Sequence, residues 1–217
     1  MTVLSLACSP LDTLFGGGLE SGIITRIYGE AGSGKTNFCL QAARECIRSG
    51  KRVAYIDTEG VSFERFRQLC VDCDYKKFLN DILFFIPISF ESQEQMICDA
   101  IETKGVGLII IDTITMFYRL NLEQDHEAAI RSFTRQVTNL QLAARKKDLW
   151  VIITEQVYTN KKGEVKPFTN RDVEHMTKTI VRFDRKGIGQ REATIIKHRS
   201  QPEGGKASFR ICANGLI

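Results

Sequence analysis

The sequence predicts an α/β fold: a mostly parallel twisted sheet with helices on both faces and antiparallel strands at its C-terminal end. Three observations predict it. Short, almost wholly apolar runs recur between helix-length segments, as they do in strands buried on both faces. One run breaks into a glycine-rich octapeptide and resumes with helical periodicity. The last third alternates apolar and polar residues between turn signals. With 217 residues, 43% of them hydrophobic, the chain suits one domain, 1–217, around one sizeable core.

In chain order, Ile23 to Tyr28 is apolar and β-branched, a strand that runs into Gly29-Glu30-Ala31-Gly32-Ser33-Gly34. A helix follows, marked by Cys39, Ala42, Ala43 and Ile47. Further strands are expected at Val53 to Ile56, Ile82 to Ile86, Leu108 to Ile111 and Trp150 to Thr154, separated by helix-sized segments. The longest helix is expected over Glu123 to Lys147, where Ile130, Phe133, Val137, Leu140 and Ala144 form a stripe that covers the sheet. Beyond Val157 comes a polar, lysine-rich stretch, Thr159 to Lys178. Alternating strands then follow at Thr179 to Asp184, Glu192 to Lys197 and Ala207 to Ile211, read as antiparallel hairpins finishing one edge of the sheet. Their turns are Lys186-Gly187-Ile188-Gly189 and Pro202-Glu203-Gly204-Gly205.

Composition excludes several classes. Charged residues make up 26%, and apolar runs such as Leu108 to Ile111 fall far below the ~18–20 residues that span a bilayer, so no membrane partner is expected. Seven cysteines, an odd number without framework spacing, suit reduced thiols and a cytoplasmic location. Cys70 and Cys73 form an isolated C-x-x-C, two of the roughly four ligands a structural zinc needs. Met1 to Leu14 lacks the basic patch and apolar region of a signal peptide. The net charge is only +4, yet residues 1–154 carry 17 basic and 19 acidic side chains and residues 155–217 carry 13 and 7. A +6 last third suits a polyanion such as nucleic acid, or a solvated basic face.

Gly29-Glu30-Ala31-Gly32-Ser33-Gly34-Lys35-Thr36 is a complete G-x-x-x-x-G-K-T between a strand and a helix. Glycines let main-chain N–H groups wrap a polyphosphate, and the helix that opens there adds a positive dipole end. Lys35 supplies a point charge to the β and γ phosphates, and Thr36 offers a hydroxyl oxygen to Mg²⁺. A second metal-holding carboxylate is needed, and Asp112 ends the apolar strand Leu108 to Ile111. Asp57-Thr58-Glu59 closes another strand on the same edge, where ligands of such sheets sit. Glu59 is therefore the candidate to orient or deprotonate an attacking water. Gln156, just past Trp150 to Thr154, is a neutral amide on that rim, placed to report γ-phosphate occupancy.

With these residues in hand, the pattern resembles the RecA/RadA recombinase superfamily, and within it the short archaeal RadB recombinase-like proteins. The likeness covers nearly the whole chain. Ser9 to Gly29 looks like the lead-in to that family's phosphate loop, Tyr55 to Gly60 like its second-strand motif, and Ile153 to Val157 like its strand-end glutamine motif. The resemblance implies a RecA-like P-loop ATPase core that takes ATP and Mg²⁺, with Glu59 as catalytic carboxylate, Gln156 as γ-phosphate sensor and Arg65 stacked on adenine. It implies a DNA-binding loop carrying Lys161, Lys162, Lys166, Arg171 and Lys178, with single-stranded DNA preferred. Tyr158 and Phe168 near that loop suit stacking on bases or packing on the protein. Lys197-His198-Arg199 resembles a basic triplet that reaches the ATP of a neighbouring subunit, or else contacts DNA.

The chain also departs from the family. Arg26 stands where the family often has Glu, and Glu155 where it usually has Asn. The family's recombinases add a DNA-binding domain or tail and a linker that docks on the next subunit, whereas this chain begins almost at the core. The expectation is an accessory protein of homologous recombination and DNA repair with slow Mg-dependent ATPase, at most weak homo-oligomerisation and no strand exchange. Two alternatives remain open. One is a regulatory module that keeps ATP as a structural ligand and docks on a RadA-type recombinase or a junction nuclease. The other is a ring ATPase like KaiC or a replicative helicase.

Overall fold

The computed structural model describes residues 2–70, 75–159, 165–168 and 171–217, and only the backbone of residues 77, 159, 165, 171 and 172. Cys73, Lys161 and Lys162 thus lie outside the described residues, as does the side chain of Arg171. Strands β1 (Val3–Leu4) and β2 (Leu19–Glu20) pair around helix α1 (Ser9–Phe15). Alternation then sets in: β3 (Ile23–Gly29), α2 (Lys35–Arg48), β4 (Arg52–Asp57), α3 (Phe63–Leu69), α4 (Tyr75–Asn80) and β5 (Ile82–Phe85). It continues through α5 (Phe90–Glu102), β6 (Val106–Asp112), α6 (Thr115–Gln124), α7 (His126–Lys147) and β7 (Trp150–Glu155). A hairpin, β8 (Val157–Thr159) with β9 (Val165–Pro167), precedes α8 (Arg171–Met176). The chain closes with β10 (Thr179–Arg185), β11 (Gln190–Lys197), β12 (Lys206–Cys212) and β13 (Gly215–Leu216).

Nine of these strands form one sheet in the order β13-β12-β11-β10-β3-β7-β6-β4-β5. Neighbours from β10 to β5 are parallel, and those from β10 to β13 antiparallel. The strand expected at Thr179 to Asp184 pairs antiparallel with β11, as the hairpin pattern implied, and on its other side joins β3 in parallel. The connection from β7 contains a hairpin and α8, long enough for the crossover that parallel pairing requires.

The apolar strands lack polar alternation because both faces are covered. Leu108 and Ile110 of β6 pack on the α2 side with Phe38, Tyr55 and Phe183. Ile109 and Ile111 pack on the α5–α7 side with Phe133, Val137 and Leu140. The long helix begins three residues later than expected, at His126. Asp125 has an extended backbone (φ −145°, ψ 96°) and its carboxylate accepts the Ala128 N–H at 3.0 Å, an N-cap that separates α7 from α6. Among the described residues no helix is long and apolar enough to cross a membrane.

Candidate phosphate-binding site

Because β3, β7, β6 and β4 are adjacent and parallel, their C-terminal ends bring the phosphate loop, Gln156, Asp112 and Glu59 to one edge of the sheet. There a cavity of ≈540 Å³ is lined by Gly32, Lys35, Thr36, Glu59, Gln156 and Arg191, among others. Volume alone does not single it out, since a more open depression of ≈700 Å³ lies beside Ser9 and Asp12. What distinguishes the smaller cavity is its chemistry.

The loop needs its glycines. A Cβ on Gly29 would lie 2.3 Å from the Phe183 carbonyl oxygen, and Gly34, with φ +102°, turns the chain into α2. Lys35 is 6% exposed, and its ammonium donates to the carbonyls of Gly29 at 2.8 Å and Glu30 at 3.1 Å. Burial pulls its pKa below the usual lysine value, and the carboxylates of Asp112 and Glu59 oppose that shift. The two carbonyls hold the cation where phosphate oxygens would be stronger acceptors.

Asp112, 2% exposed, accepts from the Thr154 hydroxyl at 2.6 Å and the Tyr55 hydroxyl at 2.9 Å, so both oxygens are fixed. Burial, then the Asp112 charge, drives the Tyr55 phenol well above its ordinary pKa and keeps it a donor. Asp57, named from the sequence only as a neighbour of Glu59, gathers the backbone N–H groups of Glu59, Gly60 and Val61 at 3.2, 2.8 and 2.6 Å. That nest sets the turn carrying Glu59. Thr58 clamps the turn to β6 by exchanging hydrogen bonds with the Thr113 backbone at 2.8 and 3.0 Å. The Glu59 carboxylate accepts from Gln156 Nε2 at 2.6 Å and from Thr113 Oγ1 at 3.3 Å, so the two residues expected at the γ-phosphate touch each other.

The other predicted residues divide. Arg65 donates to Asn37, Gln68 and the carbonyls of Cys212 and Ala213, tying α3 to the β12–β13 turn through the edge of its guanidinium. Stacking on a base would have to use its face. Lys166 lies on β9, whereas Lys178 lines a separate ≈620 Å³ cavity with Arg145 and Arg199. Lys197 donates to the Glu174 carbonyl at 2.6 Å, and Arg199 pairs with Glu20 at 2.7 Å. His198 Nδ1 accepts the N–H groups of Ser200 and Gln201, both at 3.1 Å; burial and then Arg199 hold its pKa down.

The sequence reading missed Arg191, which lines the cavity and donates to the Gly32 carbonyl at 3.0 Å, and Arg119, whose guanidinium donates to Gln156 Oε1 at 3.2 Å. Neither lies in a motif, so only their three-dimensional placement could reveal them. The unusual pair Arg26 and Glu155 also finds its explanation. They form a two-point ion pair between β3 and β7 at 2.9 and 3.0 Å, 2% and 0% exposed. Each charge compensates the other.

A hydroxyl, a buried carboxylate and room for water form the hard-oxygen set that suits Mg²⁺. Next to them lies a loop of main-chain N–H groups with an ammonium, so the residues fit a magnesium-bound triphosphate.

The comparisons with known proteins bear on the family and the fold. A family model described as Rad51 matches residues 1–217. The "DNA repair and recombination protein RadB" of Methanococcoides burtonii is 45% identical over 216 residues, covering 97% of this chain and 95% of that protein. The protein of the same name from Thermoplasma acidophilum is 39% identical, covering 95% and 90%. A solved structure, "Crystal structure of the RadB recombinase", matches with a TM-score of 0.85 at 33% identity over 98% of both chains.

Proposed function

The chain belongs to the Rad51 family, and on that footing we propose that it is an ATP- and DNA-binding accessory protein of homologous recombination and DNA repair, a slow Mg-dependent ATPase without strand exchange. One observation carries the reading: Lys35, Thr36, Glu59 and Gln156 line a single cavity, with Asp112 fixed behind it. Loop N–H groups and Lys35 would hold the phosphates, while Thr36 and a water on Asp112 would hold Mg²⁺, which neutralises phosphate charge. Glu59 would orient and deprotonate the attacking water, and Gln156 would donate to the γ-phosphate. Arg191 supplies a further cation from the chain's own β11.

Glu59→Gln tests the reaction. The variant should bind ATP like wild type but lose about a hundredfold or more in single-turnover hydrolysis, the usual worth of a positioned base. A variant as fast as wild type contradicts the role of Glu59. A wild type with no measurable rate favours ATP as a structural ligand. One observation also favours a ring or stacked assembly. Lys197 ends β11 and Arg199 lies just past it, at the end opposite Arg191 and roughly 20 Å or more away at ~3.3 Å per strand residue, so they cannot serve their own site. Mass measurement with a non-hydrolysable ATP analogue reads that out, hexamers supporting the ring.

A further inference from the structure

We propose that Arg191 is a phosphate-contacting residue acting in cis: its guanidinium donates to an oxygen of the phosphate chain held in its own chain's loop, so no neighbouring chain has to bring a cation to that point. The inference rests on the nucleotide reading above. Arg191 lies near the start of β11, paired with Arg185 of β10 on one side and Phe209 of β12 on the other, so an inner strand of the sheet carries it. Three of its N–H groups go to main-chain carbonyls: Nε to Gly32 at 3.0 Å, and Nη1 to Gln190 at 2.8 Å and Gly187 at 3.3 Å. Nη2 donates to nothing among the described residues. In the planar guanidinium Nε and Nη2 share one edge. Because Nε is turned to Gly32, in the middle of the phosphate loop, the unused Nη2 lies along that same edge, at the cavity that Arg191 lines with Lys35 and Thr36.

The surrounding charge points to an anion at the same place. Arg185 and Arg191 are direct cross-strand partners, a like-charge pairing that destabilises a sheet. Both flank one loop residue, since a Cβ on Gly32 would lie 3.8 Å from Arg185 Nη1. The carboxylates next to them in sequence are engaged elsewhere, Asp184 with Arg182 at 2.8 Å and Glu192 with Lys186 and Lys206 at 3.1 and 3.3 Å. Neither arginine forms an ion pair among the described residues. Burial and then Arg185 pull the Arg191 pKa below the ordinary arginine value, and Glu30 opposes them. An anion beside Gly32 relieves the repulsion between the two cations, and phosphate oxygens are stronger acceptors than the carbonyls that now hold Arg191. Lys197 and Arg199, the cations that the sequence offered to a nucleotide, stand at the other end of β11.

Titration of MgATP into the full chain and into Arg191→Ala, Arg191→Lys and Arg191→Gln tests this. Loss of one charge-assisted hydrogen bond should weaken binding about tenfold or more in Arg191→Ala. Arg191→Lys should recover part of that loss. Arg191→Gln, which still donates to carbonyls but carries no charge, should not. Thermal unfolding checks that each variant is folded, and if Arg191→Ala is not, the contrast between the Lys and Gln variants carries the test. Lys35→Ala chains, which keep Arg191 but should not bind nucleotide themselves, are then added in excess to Arg191→Ala, and affinity should stay low. Affinity restored by those chains would place the cation on a neighbour and overturn the proposal. So would Arg191→Ala or Arg191→Gln binding like wild type. A wild type that binds no MgATP would instead overturn the nucleotide reading, and this contact with it.

Discussion

DNA affinity is expected to fall about a thousandfold or more between about 50 and 200 mM salt, the loss that follows when about six or more phosphate contacts form. Each phosphate neutralised by a cation releases condensed counterions, and that entropy gain shrinks as bulk salt rises. The cations are at hand, since residues 155–217 carry 13 basic against 7 acidic side chains. They are not one patch. Lys166 sits on the hairpin beside Tyr158 and Phe168, while Lys178 and Arg199 line a cavity at the other edge of the sheet. Anisotropy of a labelled single strand across a salt series gives the slope, and charge reversal at Lys166 or Lys178 apportions it. Binding that ignores salt would contradict phosphate-dominated contact.

Removing one partner of the Arg26–Glu155 pair should cost about 3–5 kcal/mol, because it leaves the other charge buried and unpaired. That is a large share of the ~5–15 kcal/mol that holds a domain folded. Both side chains are fully enclosed between β3 and β7. The double replacement, Arg26→Met with Glu155→Leu, removes charge and desolvation penalty together and should recover most of the loss. Urea unfolding of the two single variants and the double one reads this directly. Singles as stable as wild type, or a double variant worse than the sum of the singles, would contradict the pairing. The pair also anchors the residue before Gln156.

What the sequence made legible was local. The octapeptide Gly29 to Thr36 names its own chemistry, and acids following apolar strands mark the carboxyl edge of a parallel sheet. Contacts between distant segments were not legible. Nothing near Asp112 in sequence points to Tyr55 or Thr154, whose hydroxyls fix it, and Arg119 lies 37 residues before the amide it donates to. Asp125 sits in a polar stretch that reads equally well as helix interior, and only its extended backbone shows that α6 and α7 are separate. The parallel pairing of β10 with β3 was hidden because a strand's own residues do not show the direction of its neighbour.

Lys35 is the group on which the account turns, and titration of MgATP into wild type and Lys35→Ala is its most direct test. Two charge-assisted hydrogen bonds to phosphate, each worth ~1.5–3 kcal/mol, are lost with the ammonium, so the variant should bind at least about a hundredfold more weakly. Lys35 now rests on the Gly29 and Glu30 carbonyls, so its removal should leave the loop and the fold standing, verified by unchanged unfolding. The predicted result is saturable binding by wild type and none measurable for the variant at the same concentrations; a folded Lys35→Ala that binds MgATP with wild-type affinity would contradict it.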